Sequence, residues 1–329
     1  MLHIVGPLLG FDWGSEKEEQ YTANPVSCGV CTDLSRVHSH QTVDLSVKAE
    51  TRNKVHSLML TAIEKNSLSP ADAASLAGKC RFILTFTQFG RAALKPLRDR
   101  QYSQPSIGPN RFDEDAASSW PLDAELRSAL QFLIRLFDPS SSHDLSLRIN
   151  LLPSSRPPVL IWSDASFAPT PGPLLGLGQI GYVVAFRSAW DAPLELFYSS
   201  AVVPNSYLLT LSRYRSQKTF ITPLEVAGIL APYATPDLSA RLHGQDVLHF
   251  ADNQAANFSA IKGYSKAPDI GHLVTNLHLS LTRLNIRFWL EYVRSKSNIA
   301  DDPSRAELSR LRAMGGTAIP FVLPTVQAW

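Results

Sequence analysis

A chain of 329 residues has room for about two or three domains, and a composition that is 44% hydrophobic and 18% charged supplies enough apolar material for packed cores, which excludes wholesale disorder. A net charge of +2 excludes a uniformly basic, nucleic-acid-coating protein, so any basic binding surface has to be local. No run reaches the roughly 18 apolar residues of a membrane helix, and the apolar start Met1 to Gly10 lacks the basic leader and small-residue cleavage site of a secretory signal, so the expectation is an intracellular protein without membrane contact.

Cys28, Cys31 and Cys80 are an odd, sparse set that fits a reducing compartment. Cys28-Gly29-Val30-Cys31 followed by His38 and His40 offers two thiolates and two imidazoles for zinc. The His-x-His spacing is shorter than the usual helical pair, however, and loop cysteines are the preferred reading. The pattern then turns helical. Val55, Leu58, Met59, Ala62 and Ile63 form one apolar stripe, and Ser69-Pro70-Ala71-Asp72 opens a second helix with an N-cap, a proline at the first helical position and an early acid.

Residues 104 to 119 are rich in turn formers and place a border near 104. Leu126, Leu130, Leu133 and Phe137 predict a bridging helix inside an otherwise linker-like stretch. That stretch ends in Leu152-Pro153-Ser154-Ser155-Arg156-Pro157-Pro158, with a second border near 157. Beyond it the signal becomes strands: Val159 to Trp162, Gly178 to Phe186 and Leu194 to Val203. A helix over Ile221 to Ala231, a strand over Asp246 to Ala251, a helical stripe from Ile270 to Leu284, a strand over Ile286 to Val293 and a last helix over Ile299 to Leu311 follow. This order predicts a mixed α/β domain, one mixed sheet with helices on its faces.

Four acidic residues end or edge these elements. Asp164 lies in the apolar run Leu160-Ile161-Trp162-Ser163-Asp164-Ala165-Ser166, Glu225 in the first turn of the helix at Thr222-Pro223-Leu224-Glu225, Asp252 after His249-Phe250-Ala251, and Asp301 in Asn298-Ile299-Ala300-Asp301-Asp302-Pro303-Ser304-Arg305. Converging carboxylates are hard oxygen ligands suited to Mg²⁺, with Mn²⁺ as a substitute. Two such ions about 3.5–4 Å apart clamp a phosphodiester undergoing in-line displacement. Each acid also has a plainer explanation. Glu225 would close a capping box with Thr222, Asp252 would end a strand or cap a helix, and Asp301-Asp302 would favour a helix N-terminus. Asp164 resists such an explanation, because a carboxylate among Leu160, Ile161, Trp162 and Phe167 rarely goes unpartnered.

Taken in order, Asp-Ala-Ser, the helical Leu-Glu, Ala-Asp-Asn after a strand and Asn-Ile-Ala-Asp-Asp-Pro-Ser-Arg resemble the ribonuclease H domain of retroelement reverse transcriptases of the DIRS-like type, over residues 158 to 306. More loosely, Leu8 to Trp13, Leu76 to Lys79 and Gly90 to Leu97 resemble the thumb and connection that follow the polymerase palm. The resemblance implies a five-stranded mixed sheet flanked by helices, a thumb- and connection-like segment over 1–103, a linker with one helix over 104–157 and a tail over 307–329. It also implies metal-dependent cleavage of the RNA strand of RNA/DNA hybrids by Asp164, Glu225, Asp252 and Asp301. The paired aspartates of a polymerase hairpin are not found in the sequence, so the polymerase is expected on another segment, a possible partner. Ser166, Asn253 and Gln254 fall where the family contacts the hybrid, and an amide or hydroxyl there is suited to sensing a 2′-OH. Arg213, Arg215 and Lys218, with Tyr207 and Tyr214 nearby, are candidates for phosphate contacts. Many relatives carry a histidine before the last aspartate, whereas Arg294-Ser295-Lys296-Ser297 has none, which bears on turnover. The alternatives are a non-catalytic remnant serving as a nucleic-acid-binding or structural module, an integrase- or resolvase-like DNA nuclease, and a serine hydrolase using Ser166 and His249 that lacks a nucleophile elbow.

Overall fold

The computed structural model describes residues 23–24, 26–27, 29–87, 90–103, 120–140, 145–151, 155–169, 176–212 and 220–326. Leu8 to Trp13, Cys28, Arg213, Tyr214, Arg215 and Lys218 therefore lie outside the described residues. The first elements are β1 (Val26–Ser27), β2 (Val30–Asp33), α1 (Val37–His40) and β3 (Thr42–Val47). Helices α2 (Ala49–Glu64), α3 (Pro70–Ile83), α4 (Leu94–Gln101) and α5 (Ala124–Phe137) follow, and then β4 (Leu147–Asn150). Strands β1 to β4 form an antiparallel sheet in that order.

The sheet adds short strands to a start that is otherwise helical, as expected, and draws the end of the expected linker into it. Leu147 to Asn150 pairs with Thr42 to Leu45, and Arg148 lies directly opposite Asp44, joined to it at 2.8 Å. A facing opposite-charge pair of this kind is worth about 0.2–1 kcal/mol and helps to hold the register. Cys31 is a free thiol on β2, while His38 and His40 are both exposed on α1, and among the described residues none of them joins a metal-ligand cluster.

Ser69 caps α3 as its sequence suggests, accepting from the Asp72 amide at 3.1 Å and donating to the Asp72 carboxylate at 2.7 Å, an arrangement worth about 1 kcal/mol. The stripe on α2 is narrower than the pattern implied, since Val55, Met59 and Ala62 are buried but Leu58 is 41% exposed. The helix expected to bridge two domains, α5, instead packs its Leu126, Leu130, Leu133 and Phe137 into the same core as Val55, Met59, Leu76, Ile83 and Leu97. The reason is that its whole apolar stripe needs cover, which α2 and α4 supply.

The second core is built by β5 (Val159–Ala168), β6 (Leu177–Phe186), β7 (Glu195–Val203), α6 (Asn205–Ser212), α7 (Ile221–Ala234), α8 (Pro236–Leu242), β8 (Asp246–Ala251), α9 (Gln254–Lys262), α10 (Pro268–Arg283), β9 (Arg287–Tyr292), α11 (Asp301–Ser304), α12 (Ser309–Ala313) and β10 (Thr317–Ala318). The sheet runs β10-β7-β6-β5-β8-β9. Strands β5 to β7 are antiparallel neighbours, β8 and β9 run parallel to β5, and β10 is parallel to β7, so this is a mixed sheet flanked by helices.

Six strands stand where five were expected, because the supposed tail is part of the fold. Leu311 is buried with Val183 and Tyr198, Phe321 stacks against Tyr182 at 5.4 Å, and Ser199 Oγ donates to the Ile319 carbonyl at 2.7 Å. The single helix expected over 299 to 311 is two short ones, broken where Ala306 takes a left-handed φ of 59°. The two cores touch through Arg91, which donates to the Lys262 carbonyl at 3.3 Å, and through the Arg98 guanidinium over the Tyr264 ring at 5.5 Å.

Candidate active site

The parallel ladder between β5 and β8 ends at the pair Trp162 and Phe250. Two residues further on each chain come Asp164 and Asp252, so equal register carries both carboxylates to the opening where the strands part. Helix α7 crosses this opening, buried on every side from Pro223 to Tyr233, and it delivers Glu225 to the same place. One ligand oxygen from each of Asp164, Glu225 and Asp252 lies within 4.8 Å of the other two.

Burial makes this crowding unfavourable. Asp164 is 6% and Glu225 4% exposed. Loss of hydration pushes the Asp164 carboxyl up to about 7, with Asp252 and Asp301 adding repulsion and a hydrogen bond from Ser304 opposing it. Desolvation likewise holds Glu225 well above the usual carboxylate range, reinforced by the charges of Asp164 and Asp252 and opposed by the Ala165 amide and the Asn253 side chain. One buried Glu225 oxygen, Oε2, has no hydrogen-bond partner.

The capping explanation for Glu225 fails. Phe220 is the N-cap residue of α7 and no side chain caps the helix. Thr222 therefore lies inside the first turn, where it cannot form the box. The wish of Ile221, Leu224 and Val226 to be buried starts the helix earlier than the Thr-x-x-Glu signature suggests.

Asp301 stands apart from the three. It is half-buried, near enough for its charge to act on Asp164, and its carboxylate is paired with Arg305 at 2.8 Å, one turn on. Its segment is moored to the sheet: Ser200 Oγ donates to the Pro303 carbonyl at 2.6 Å, Ser166 Oγ to the Ser304 carbonyl at 2.8 Å, and Ser304 Oγ to Asp164 Oδ2. Sequence reasoning passed over Ser304, though a serine one turn after a candidate ligand was the available signal.

The expected substrate contacts divide. Ser166 spends its proton on Ser304 and keeps only acceptor capacity. Asn253 accepts from the Ala256 amide at 3.0 Å, capping α9, and its side chain also bonds to Glu225, so it serves the site from inside. Gln254 is exposed at the start of α9. His249 is fully buried and bonded to Ser163 and Tyr233, so it is not paired with Ser166 as a hydrolase would need.

The raised carboxyls set a pH dependence for the metal-free protein. A carboxyl whose folded pKa exceeds its unfolded value of about 4 contributes stability that is full below that value and lost as pH rises through the folded one. For Asp164 the window runs from about 4 to about 7. The melting temperature of protein freed of metal by chelation is expected to fall by several degrees across this window, and Asp164→Asn to flatten the fall. A melting temperature that stays level from pH 4.5 to 7.5 would contradict the burial of this cluster.

No protein-family model matches the chain, and no curated protein does. Solved structures to which it is similar include RNase H1 from the halophilic archaeon Halobacterium salinarum NRC-1, at 14% identity and a TM-score of 0.30, covering 46% of this chain and 98% of that one. The N-terminal RNase H domain of a Mycobacterium tuberculosis protein, solved as a fusion with maltose-binding protein, matches at 15% and 0.30, covering 48% and 97%. LC9-RNase H1, a type 1 RNase H with the type 2 active-site motif, matches at 13% and 0.28, covering 54% and 99%. Likeness at this level says nothing of what the chain does, so function has to be argued from the carboxylates themselves.

Proposed function

We propose that this protein is a metal-dependent endonuclease of the ribonuclease H type that hydrolyses the RNA strand of RNA/DNA hybrids. On this reading it comes from a DIRS-like retroelement reverse transcriptase whose polymerase lies on another segment. The reading rests on the same residues as the family resemblance, and one observation carries it: three carboxylates from three elements converge, two of them buried, with an unpartnered oxygen on Glu225. Buried, mutually repelling anions are costly unless a cation neutralises them. A hard, all-oxygen donor set fits Mg²⁺ or Mn²⁺ better than a softer metal.

In this proposal Asp164, Glu225 and Asp252 would hold the metal, and Asp301, paired with Arg305 and near enough to act on Asp164, would supply a fourth carboxylate. Bound there, divalent cations would lower the pKa of a water and offset charge on the phosphodiester. The chain's own residues do the rest. Ser304 keeps Asp164 oriented, Asn253 steadies Glu225, and Ser166, with its proton already committed, has lone pairs left to accept from a 2′-OH. Gln254 stands exposed beside the carboxylates for a base edge or sugar, and Arg213, Arg215 and Lys218 remain candidates for phosphates.

The test is incubation of the full chain with labelled RNA/DNA hybrid, double-stranded RNA and double-stranded DNA, with Mg²⁺, with Mn²⁺ and with chelator. Cleavage of the hybrid's RNA strand alone, abolished by chelator, is expected. Cleavage that persists in chelator, or binding of hybrid without any cutting, would overturn the enzymatic reading; the second outcome would favour the non-catalytic module.

A further inference from the structure

A line of buried polar side chains runs behind the carboxylates. Tyr233 Oη is hydrogen-bonded to His249 Nδ1 at 2.9 Å, and His249 Nε2 to Ser163 Oγ at 2.8 Å. All three side chains are buried, and the rings of Tyr233 and His249 both pack edge-on against Phe288, at 5.9 and 6.0 Å. Ser163 is tied in once more, for Asn298 Nδ2 donates to its carbonyl at 3.0 Å while Asn298 Oδ1 accepts from the Ala300 amide at 3.2 Å.

Each member lies within about two helical turns of an acid of the site along the chain. Tyr233 lies about two turns after Glu225 on α7, His249 three residues before Asp252 on β8, Ser163 immediately before Asp164 on β5, and Asn298 three residues before Asp301. The bond between His249, which stands opposite Ile161 within the backbone ladder of β5 and β8, and Ser163, one residue past its last pair at Trp162, ties the two strands together where the ladder stops. The side-chain bonds of His249 and Asn298 therefore add to the backbone ladder at its end, beside the mouth.

We propose that Tyr233, His249, Ser163 and Asn298 form a positioning network that fixes the spacing of the four acids and thereby sets the protein's affinity for divalent cations. The network suits that task because it is uncharged. Carboxylates held within 4.8 Å of one another push their elements apart, and a neutral brace resists this without adding a cation that would compete with the metal. Burial keeps the His249 imidazole neutral, so one ring nitrogen donates and the other accepts, and the hydroxyls of Tyr233 and Ser163 take the complementary roles.

This inference rests on the metal-dependent reading above, and its test separates the two. Mn²⁺ binding to the full chain is titrated by calorimetry for the parent, Tyr233→Phe and Ser163→Ala, each checked for folding by its melting curve. Both variants remove one hydroxyl and keep the packing shape nearly unchanged. The expected result is a loss of Mn²⁺ affinity of about tenfold in each folded variant, as is usual when groups that orient metal ligands are removed. Because the two changes break one chain, the double variant is expected to lose little more than either single one. Variants that melt lower but bind Mn²⁺ as the parent does would make the network merely structural and overturn the inference, while leaving the metal site standing. A parent that binds no Mn²⁺ would overturn both.

Discussion

Glu225→Gln is expected to cut hybrid cleavage on the order of a hundredfold or more while leaving the metal-free protein as stable as its parent or firmer above neutral pH. Glutamine has the shape of glutamate, so the packing of α7 against β5 and β6 is undisturbed, and its amide still accepts from Ala165. What disappears is a buried charge pushed out of its ordinary range by desolvation and by Asp164 and Asp252. Relief of that penalty raises metal-free stability at pH 8, where a charged Glu225 would be most costly, and has little effect at pH 4, where the parent carboxyl is already protonated. The same relief removes a metal ligand. Paired measurements of melting at the two pH values and of cleavage rate with Mg²⁺ decide the matter. Parental cleavage by the glutamine variant would remove Glu225 from the site and leave its burial without a function.

The strands of the second core were legible because alternation and apolar runs are long there, from Val159 to Trp162 and from Gly178 to Phe186, and Asp164 and Asp252 were legible because each comes just after a strand-like apolar run. Two kinds of feature were not. Short elements, such as Leu147 to Asn150 or Thr317 and Ala318, hold too few residues for a period to show, and their pairing partners lie more than 100 residues away. A local signature also misled: Thr222 and Glu225 match a capping box, but burial of the surrounding apolar residues moved the helix start ahead of it. The polar network had a sign that went unread. Ser163 alternates with Ile161 and Ala165, and His249 with Val247 and Ala251, so both occupy core-facing positions where a polar side chain must find a partner. Alternation marks the face, yet says nothing of which partner a fold brings 86 residues closer.

Gly181→Ala is expected to destabilise the protein and to disable the site together, although glycine here has no unusual backbone angle. Gly181 lies on β6 opposite Asp164 on one side and Ser200 on the other. A Cβ at this position would meet the Ser304 amide nitrogen at 2.4 Å and the Pro303 carbonyl carbon at 2.5 Å, both backbone atoms that cannot rotate away. The contact is that close because Gln179 and Ser200 both donate to the Pro303 carbonyl and draw α11 onto the strand. Accommodating a methyl means lifting residues 301 to 304, at a cost of about 1–3 kcal/mol for the overpacking alone. Lifting them also withdraws the Ser304 hydroxyl from Asp164 and displaces Asp301, so cleavage is lost along with stability. Gly78→Ala is the control. Gly78 is exposed on α3 with nothing within 4 Å of its would-be Cβ, and alanine there is expected to raise stability by about 0.5–1 kcal/mol and leave cleavage alone. Opposite signs from the same substitution at two glycines would place the effect in the docking of α11. Parental melting and cleavage in Gly181→Ala would mean that the segment carrying Asp301 does not rest on β6, and that the fourth carboxylate reaches the other three by some different path.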